Sequence, residues 1–194
     1  MGFPTRSAEP MTAKEFFAFT ETRPDDEKWE LIEGEPILNA SASHLHQRIL
    51  GNVLRILMRL EEAQKPSGGR RWEVLPGLGV RISPTSVPVP DILIRPFDDL
   101  VGPECDDMIV GFEILSPSTA DRDLRWKRQA YAKLASLQHY VVVAQDAGEV
   151  FAYDRADGFA ERRVDQRGAS LDLPALAITL PLAEIYRDTG LVSA

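Results

Sequence analysis

The run Met108–Leu115 (MIVGFEIL) carries a single charge, Glu113, in a stretch that is apolar at both strand parities. A strand of that kind faces water on neither side, so it belongs inside a sheet covered on both faces. Burying an unpaired carboxylate there costs several kcal/mol or shifts its pKa. A cation is therefore needed nearby, and the next segment offers one. Ser118 to Leu137 reads as a helix, with Ser118 as N-cap three residues ahead of Asp121. At about 100° per residue, Leu124, Lys127, Tyr131 and Leu134 share one stripe, while Arg122, Arg125 and Lys133 point toward water. Lysine is almost never fully buried unless paired, so Lys127 is expected above a carboxylate. A second acid, Asp91, follows Pro90 and opens the apolar run DILI.

The rest of the chain supplies the covering layers. Residues 1–10 read as a disordered lead-in, and residues 11–194 as a single domain. Thr12 and Glu15 form a capping-box pattern ahead of a short helix. Trp29–Leu38 reads as a hairpin turning at Gly34. Ser43–Gln64 holds the clearest helical spacing, through Ile49, Leu50, Val53, Leu54, Leu57 and Leu60, until KPSGG breaks it. Strand-like runs follow at Trp72–Leu75, Gly79–Ile82, Asp91–Ile94 and Met108–Leu115. After the Lys127 helix come Tyr140–Ala144, Glu149–Tyr153 and Ala160–Val164, with a last helix over Leu182–Arg187. Helices and strands in this order predict an α/β (α+β) fold with a central mixed sheet flanked by helices.

With 194 residues, 44% of them hydrophobic, the chain can bury a sizeable core. No apolar stretch approaches the ~20 residues that span a membrane. MGFPTRSAEP lacks the apolar segment of a secretory signal, and Cys105 is the only cysteine, so a cytoplasmic setting without disulfides is expected. No His or CxxC neighbours Cys105, so it reads as an inert thiol. The net charge of −8 excludes a protein that grips nucleic acid with its whole surface. Much of that charge crowds Asp25, Asp26, Glu27, Glu30, Glu33 and Glu35. Basic candidates remain: Arg48, Arg55 and Arg59 on one helical face, then Arg70, Arg71, Arg122, Arg125, Arg128, Arg162 and Arg163, each equally readable as solvated surface.

Two acids and one lysine arriving from strand, strand and helix are parts of a metal-dependent phosphodiesterase site. If Asp91 and Glu113 occupy neighbouring strands about 4 Å apart, their repulsion is roughly 4 kcal/mol at an effective dielectric near 20. One lysine offsets only part of it. A divalent cation completes the neutralisation, and oxygen donors of this kind suit Mg²⁺ or Mn²⁺. The bland alternative stands beside this: a buried Glu113–Lys127 pair with a purely structural role.

Pro90–Asp91, then Glu113–Ser116 (EILS), then Lys127 and Tyr131 in K-x-x-x-Y, then the strand HYVVV, resemble the PD-(D/E)xK nuclease superfamily. More narrowly, the chain is similar to the bacterial "Uma-two" family of restriction-endonuclease-like proteins, from WELIEGEP (Trp29–Pro36) to LPLAEIY (Leu180–Tyr186). The superfamily's usual lysine position, two residues after the glutamate, is Leu115 here; Lys127 matches a lysine moved to the following helix. The resemblance implies a restriction-endonuclease-like fold, DNA as partner, Mg²⁺ or Mn²⁺ held by Asp91, Glu113 and the Ile114 carbonyl, and a homodimer. It adds Glu30 as an accessory acid, and His46 either as a phosphate contact or group behind the metal ligands or as a satisfied core histidine. Tyr131 reads as packing with its hydroxyl bonded. The rival is a catalytically silent binding or regulatory module that keeps the fold.

Overall fold

The computed structural model describes residues 9–64, 71–99, 101–116, 120–165 and 169–192. Residues 1–8 of the expected lead-in, the whole KPSGG breaker, Arg70 and the expected N-cap Ser118 lie outside them. The chain begins with α1 (Ala13–Thr20), the hairpin β1 (Trp29–Ile32) and β2 (Glu35–Leu38), and α2 (His44–Glu62). Next come β3 (Trp72–Pro76), β4 (Gly79–Val80), β5 (Ile92–Pro96), β6 (Glu104–Cys105) and β7 (Val110–Leu115). A helical crossover, π-helical over Arg122–Lys127 and α-helical over Arg128–Tyr131 (α3), leads to β8 (His139–Ala144). The chain then runs through β9 (Val150–Asp154), β10 (Glu161–Val164), β11 (Ser170–Leu173), β12 (Ile178–Pro181) and α4 (Leu182–Ile185).

The main sheet has six strands in the order β10-β9-β8-β7-β5-β3, antiparallel except for the parallel pair β7–β8. Antiparallel neighbours can be joined by short turns, whereas a parallel pair needs a crossover. That geometric need lays the Lys127 segment across one face of the sheet. On the opposite face α2 packs Ile49, Val53, Ile56 and Leu57 against Phe112 and Ile114, together with Leu171, Leu180 and Ile185 from β11, β12 and α4. Each such fully buried aliphatic contributes about 1.5–3 kcal/mol. The crossover face is lined by Tyr131, Leu134, Tyr140, Val142 and Tyr153. A third cluster joins Phe16 of α1 to Leu31 and Val87.

Local signals explain several boundaries. The capping box at α1 is complete: Thr12 Oγ1 accepts from the Glu15 amide, and the Glu15 carboxylate accepts from the Thr12 amide at 2.8 Å. Ser43 caps α2 by accepting from the His46 amide. The hairpin turns at Gly34, whose φ of +85° suits glycine and whose missing Cβ lets Pro10 approach.

The crossover departs from expectation. Helix was expected to Leu137; it stops at Tyr131, and Leu134 reaches its buried position from the turn beyond. The π-helical turn also breaks the 100° projection. In i→i+5 geometry, residues five apart stand on one face, so Arg122 swings round beside Lys127 instead of pointing to water. The strands β11 and β12 went unread because no glycine marks the turn between them: Ala177 takes its left-handed position, at a φ of +54°.

Cys105, on β6, is buried, and that burial, helped by Asp107, pushes its thiol up to about 11. At pH 8 only ~0.1% is then thiolate, against about a quarter for a free thiol of pKa near 8.5. Iodoacetamide should therefore label the native protein on the order of a hundredfold more slowly than the urea-unfolded chain. Equal rates would mean that the β4–β6 pair opens freely.

Candidate active site

Lys127 is 2% exposed and its ammonium is surrounded by acids. It pairs with Glu30 Oε1 at 2.7 Å and Glu113 Oε1 at 2.8 Å, lies 3.6 Å from Asp123 Oδ1, and donates to the Val89 carbonyl at 3.2 Å. An ammonium has three donors, and Glu30, Glu113 and Val89 occupy them. Glu113 comes from β7, Glu30 from β1, and Asp123 from one turn earlier in the crossover. The helical stripe thus placed Lys127 correctly. It missed Asp123, although a spacing of four residues was the signal that would have found it.

Asp91 stands one residue before β5. Ile92 pairs with Phe112 across the antiparallel β5–β7 ladder, so the register carries Asp91 opposite Glu113, on the same face. Its Oδ2 accepts the Ile114 amide at 2.7 Å, and its Oδ1 lies 3.5 Å from His46 Nε2. Glu30, completely buried, also accepts the Val89 amide at 2.9 Å, and its Oε2 lies 3.5 Å from Arg122. Arg122 further donates to Asn39 Oδ1. All of these side chains line one cavity of about 690 Å³.

The electrostatics follow from a shared lysine. Burial raises the Glu113 pKa, Lys127 lowers it, and repulsion from Asp123, Asp91 and Glu30 raises it again, so Glu113 ends well above the usual carboxylate range. One ammonium divided among three acids does not hold Glu113 down. Lys127 itself is shifted well upward: burial opposes its charge, but Glu113, Glu30 and Asp123 outweigh burial and keep it protonated. Burial also opposes ionisation of Glu30 and Asp91. Lys127 and Arg122 overcome it for Glu30; His46 and the Ile114 amide, with Lys127, overcome it for Asp91. Both end below the ordinary carboxylate value.

Of the residues expected to act, Asp91, Glu113, Lys127, Glu30, His46 and Ile114 line the cavity. Tyr131 does not. It packs against Tyr140, with ring centroids 5.5 Å apart, and its hydroxyl has no hydrogen-bond partner among the described residues, contrary to expectation. The Tyr140 hydroxyl instead donates to the Asp123 carbonyl at 2.8 Å, fixing the π-helical turn from below.

A six-stranded mixed sheet, with a helical crossover bridging its one parallel pair over a charged cavity, is a restriction-endonuclease-like architecture. The chain belongs to the Uma2 family, described as "Putative restriction endonuclease", which it matches over residues 13–183. Its fold is similar to that of a crystal structure titled as a "putative nuclease belonging to DUF820" from Anabaena variabilis. That likeness has a TM-score of 0.74 at 19% identity and covers 91% of this chain and 98% of the other. No curated protein matches the sequence. Among the described residues no helix is long and apolar enough to cross a membrane.

Proposed function

We propose that this protein is a metal-dependent endonuclease that hydrolyses phosphodiester bonds in DNA, with Asp91 and Glu113 holding Mg²⁺ or Mn²⁺ and Lys127 acting on the phosphate. The observation that carries this reading is the charge imbalance of one cavity: Asp25, Glu27, Glu30, Asp91, Glu113 and Asp123 against Arg23, Lys28, Arg122 and Lys127. The excess is negative and the donors are oxygens, which suits a hard divalent cation. Among the described residues no three His, Cys, Asp or Glu side chains already stand as a metal cage. Mg²⁺ needs none: it is usually held by one or two carboxylates, with waters and substrate phosphate completing its shell. The Ile114 carbonyl is the proposed third protein ligand.

When bound, the ion would lower the pKa of a water and polarise the phosphate. The chain's own groups do the rest. His46 and the Ile114 amide hold Asp91 ionised, and the amide fixes its orientation. Lys127, kept protonated by its acids, is a preorganised positive charge where negative charge grows on phosphorus. Glu30 anchors that ammonium from below, and His46 stands beside Asp91 as a phosphate contact. Hydrolysis of both strands calls for two sites, and a homodimer belongs to the same proposal.

One observation favours a second reading, a silent module. All three Lys127 donors are spent inside the protein, as in a structural ion cluster. Nicking of supercoiled plasmid separates the two. Wild type should relax plasmid in Mn²⁺ or Mg²⁺ and stop in EDTA; intact plasmid across metals and DNA forms sinks the nuclease reading.

A further inference from the structure

A second concavity, about 730 Å³, runs along the outer face of α2 and the segment after α4, lined by His44, Gln47, Arg48, Gly51, Arg55 and Arg187. Arg48, Arg55 and Arg187 are exposed, and none of them makes a salt bridge among the described residues. Arg59, one turn further on, is already paired with Glu184 at 3.0 Å. Two of the groove arginines are nevertheless held in place. Arg48 donates to the Asp188 carbonyl at 2.8 Å, and Arg55 to Asn52 Oδ1 at 3.2 Å. Asn52 is itself locked by donating to the carbonyls of Ile185 and Arg187. Asp188 is the one carboxylate in the lining, so three arginines leave the groove positive on a chain whose net charge is −8.

The floor gives an independent sign. Gly51 lies mid-helix, one turn from both Gln47 and Arg55, and a Cβ built there meets nothing within 4 Å. Glycine weakens a helix interior, and no packing neighbour requires it here. What it provides is bare backbone between the arginines, where a bulky group can come close.

We propose that this face of α2 docks the phosphate backbone of the DNA that the neighbouring cavity acts on, a proposal that rests on the nuclease reading above. The two sites meet at the start of α2, where Ser43 and His46 line the catalytic cavity and His44 and Gln47 line the groove. From His44 to Arg55 the helix extends about 16 Å, enough to follow several phosphates along a strand that advances about 3.4 Å per residue. Such contacts position the duplex without reading its sequence.

The experiment is fluorescence anisotropy with a labelled duplex in EDTA, where no turnover occurs, at several salt concentrations. Replacing all three arginines (Arg48→Gln, Arg55→Gln, Arg187→Gln) should weaken binding roughly a hundredfold at about 0.1 M salt. The slope of log K against log salt should become shallower by about 2–3 units. Gly51→Gln should melt higher than wild type yet bind DNA more weakly, because glutamine is the better helix former and fills the floor. A triple variant with wild-type affinity and slope overturns the proposal, as does a wild type that binds polyglutamate but no duplex. Plasmid nicking in Mn²⁺ is read separately: a wild type that nicks while the triple variant binds like wild type overturns the docking face and leaves the nuclease reading standing.

Discussion

Lys127→Met should cost the metal-free protein about 3–5 kcal/mol of stability, the range for stripping one partner from a buried ion pair, read as a fall in Tm of roughly 10 °C. Methionine keeps the stem's packing, so the loss is electrostatic. Glu30, Glu113 and Asp123 share that ammonium, and all three would remain buried. The pH dependence has a definite sign. A carboxyl whose folded pKa is raised, as that of Glu113 is, penalises the fold above its unfolded value of about 4.3, and the penalty fades as pH falls toward that value. Without Lys127 this penalty grows, so the gap between variant and wild type should narrow from pH 8 to pH 5. In a working site the same variant should bind Mn²⁺ at least as well, while nicking drops by a hundredfold to a thousandfold. A variant that melts like wild type would show that the lysine compensates none of these acids. A large drop in Tm beside a wild type that never nicks would leave the cluster structural.

Asp91→Asn should abolish plasmid nicking, by a thousandfold or more, because it removes a charged donor to the ion and not merely a contact to the phosphate. The fold should survive, since the asparagine carbonyl can still accept the Ile114 amide that Asp91 Oδ2 accepts at 2.7 Å. Thermal melts with Mn²⁺ provide the control. An ion that binds only the folded state adds about 2.7 kcal/mol at a concentration of 100 Kd, and this gain should vanish in the variant. A metal-induced shift of undiminished size in Asp91→Asn would place the ion elsewhere and remove Asp91 from the site.

Much of the site was legible because buried charge is a strong constraint. The parity of MIVGFEIL left Glu113 no solvated face, and Lys127 interrupted an apolar stripe; both are within 3% of full burial and 2.8 Å apart. Arg122 was misplaced for a specific reason. The projection assumed 3.6 residues per turn, and a π-helical turn, whose signature is hydrogen bonding and not composition, rotated the arginine inward. The contact between Asp91 and the Ile114 amide depends on the β5–β7 register, which no local pattern encodes. Glu30 lies far along the chain from Lys127 and was reached only through family resemblance, because in sequence it is one of six acids crowded between Asp25 and Glu35. In the fold, the capped helices and the β1–β2 hairpin carried their own local signals. The pairing of β11 with β12 is set by what covers the α2 face.

The cluster around Lys127 also bears on how this chain can drift. Replacing a buried ionic group by well-packed hydrophobic residues is often neutral or stabilising by about 1–4 kcal/mol, and most proteins sit only a little above their stability threshold. Under selection for folding alone, Glu30, Glu113, Asp123 and Lys127 form a set that a chain gains by exchanging for leucine and methionine. Each single step on the way strands a partner, so the set is easy to keep and hard to leave. A library selected for thermal tolerance therefore has one profitable exit, simultaneous neutralisation of the whole quartet. Variants that take it would report, by what else they lose, the work for which the quartet is retained.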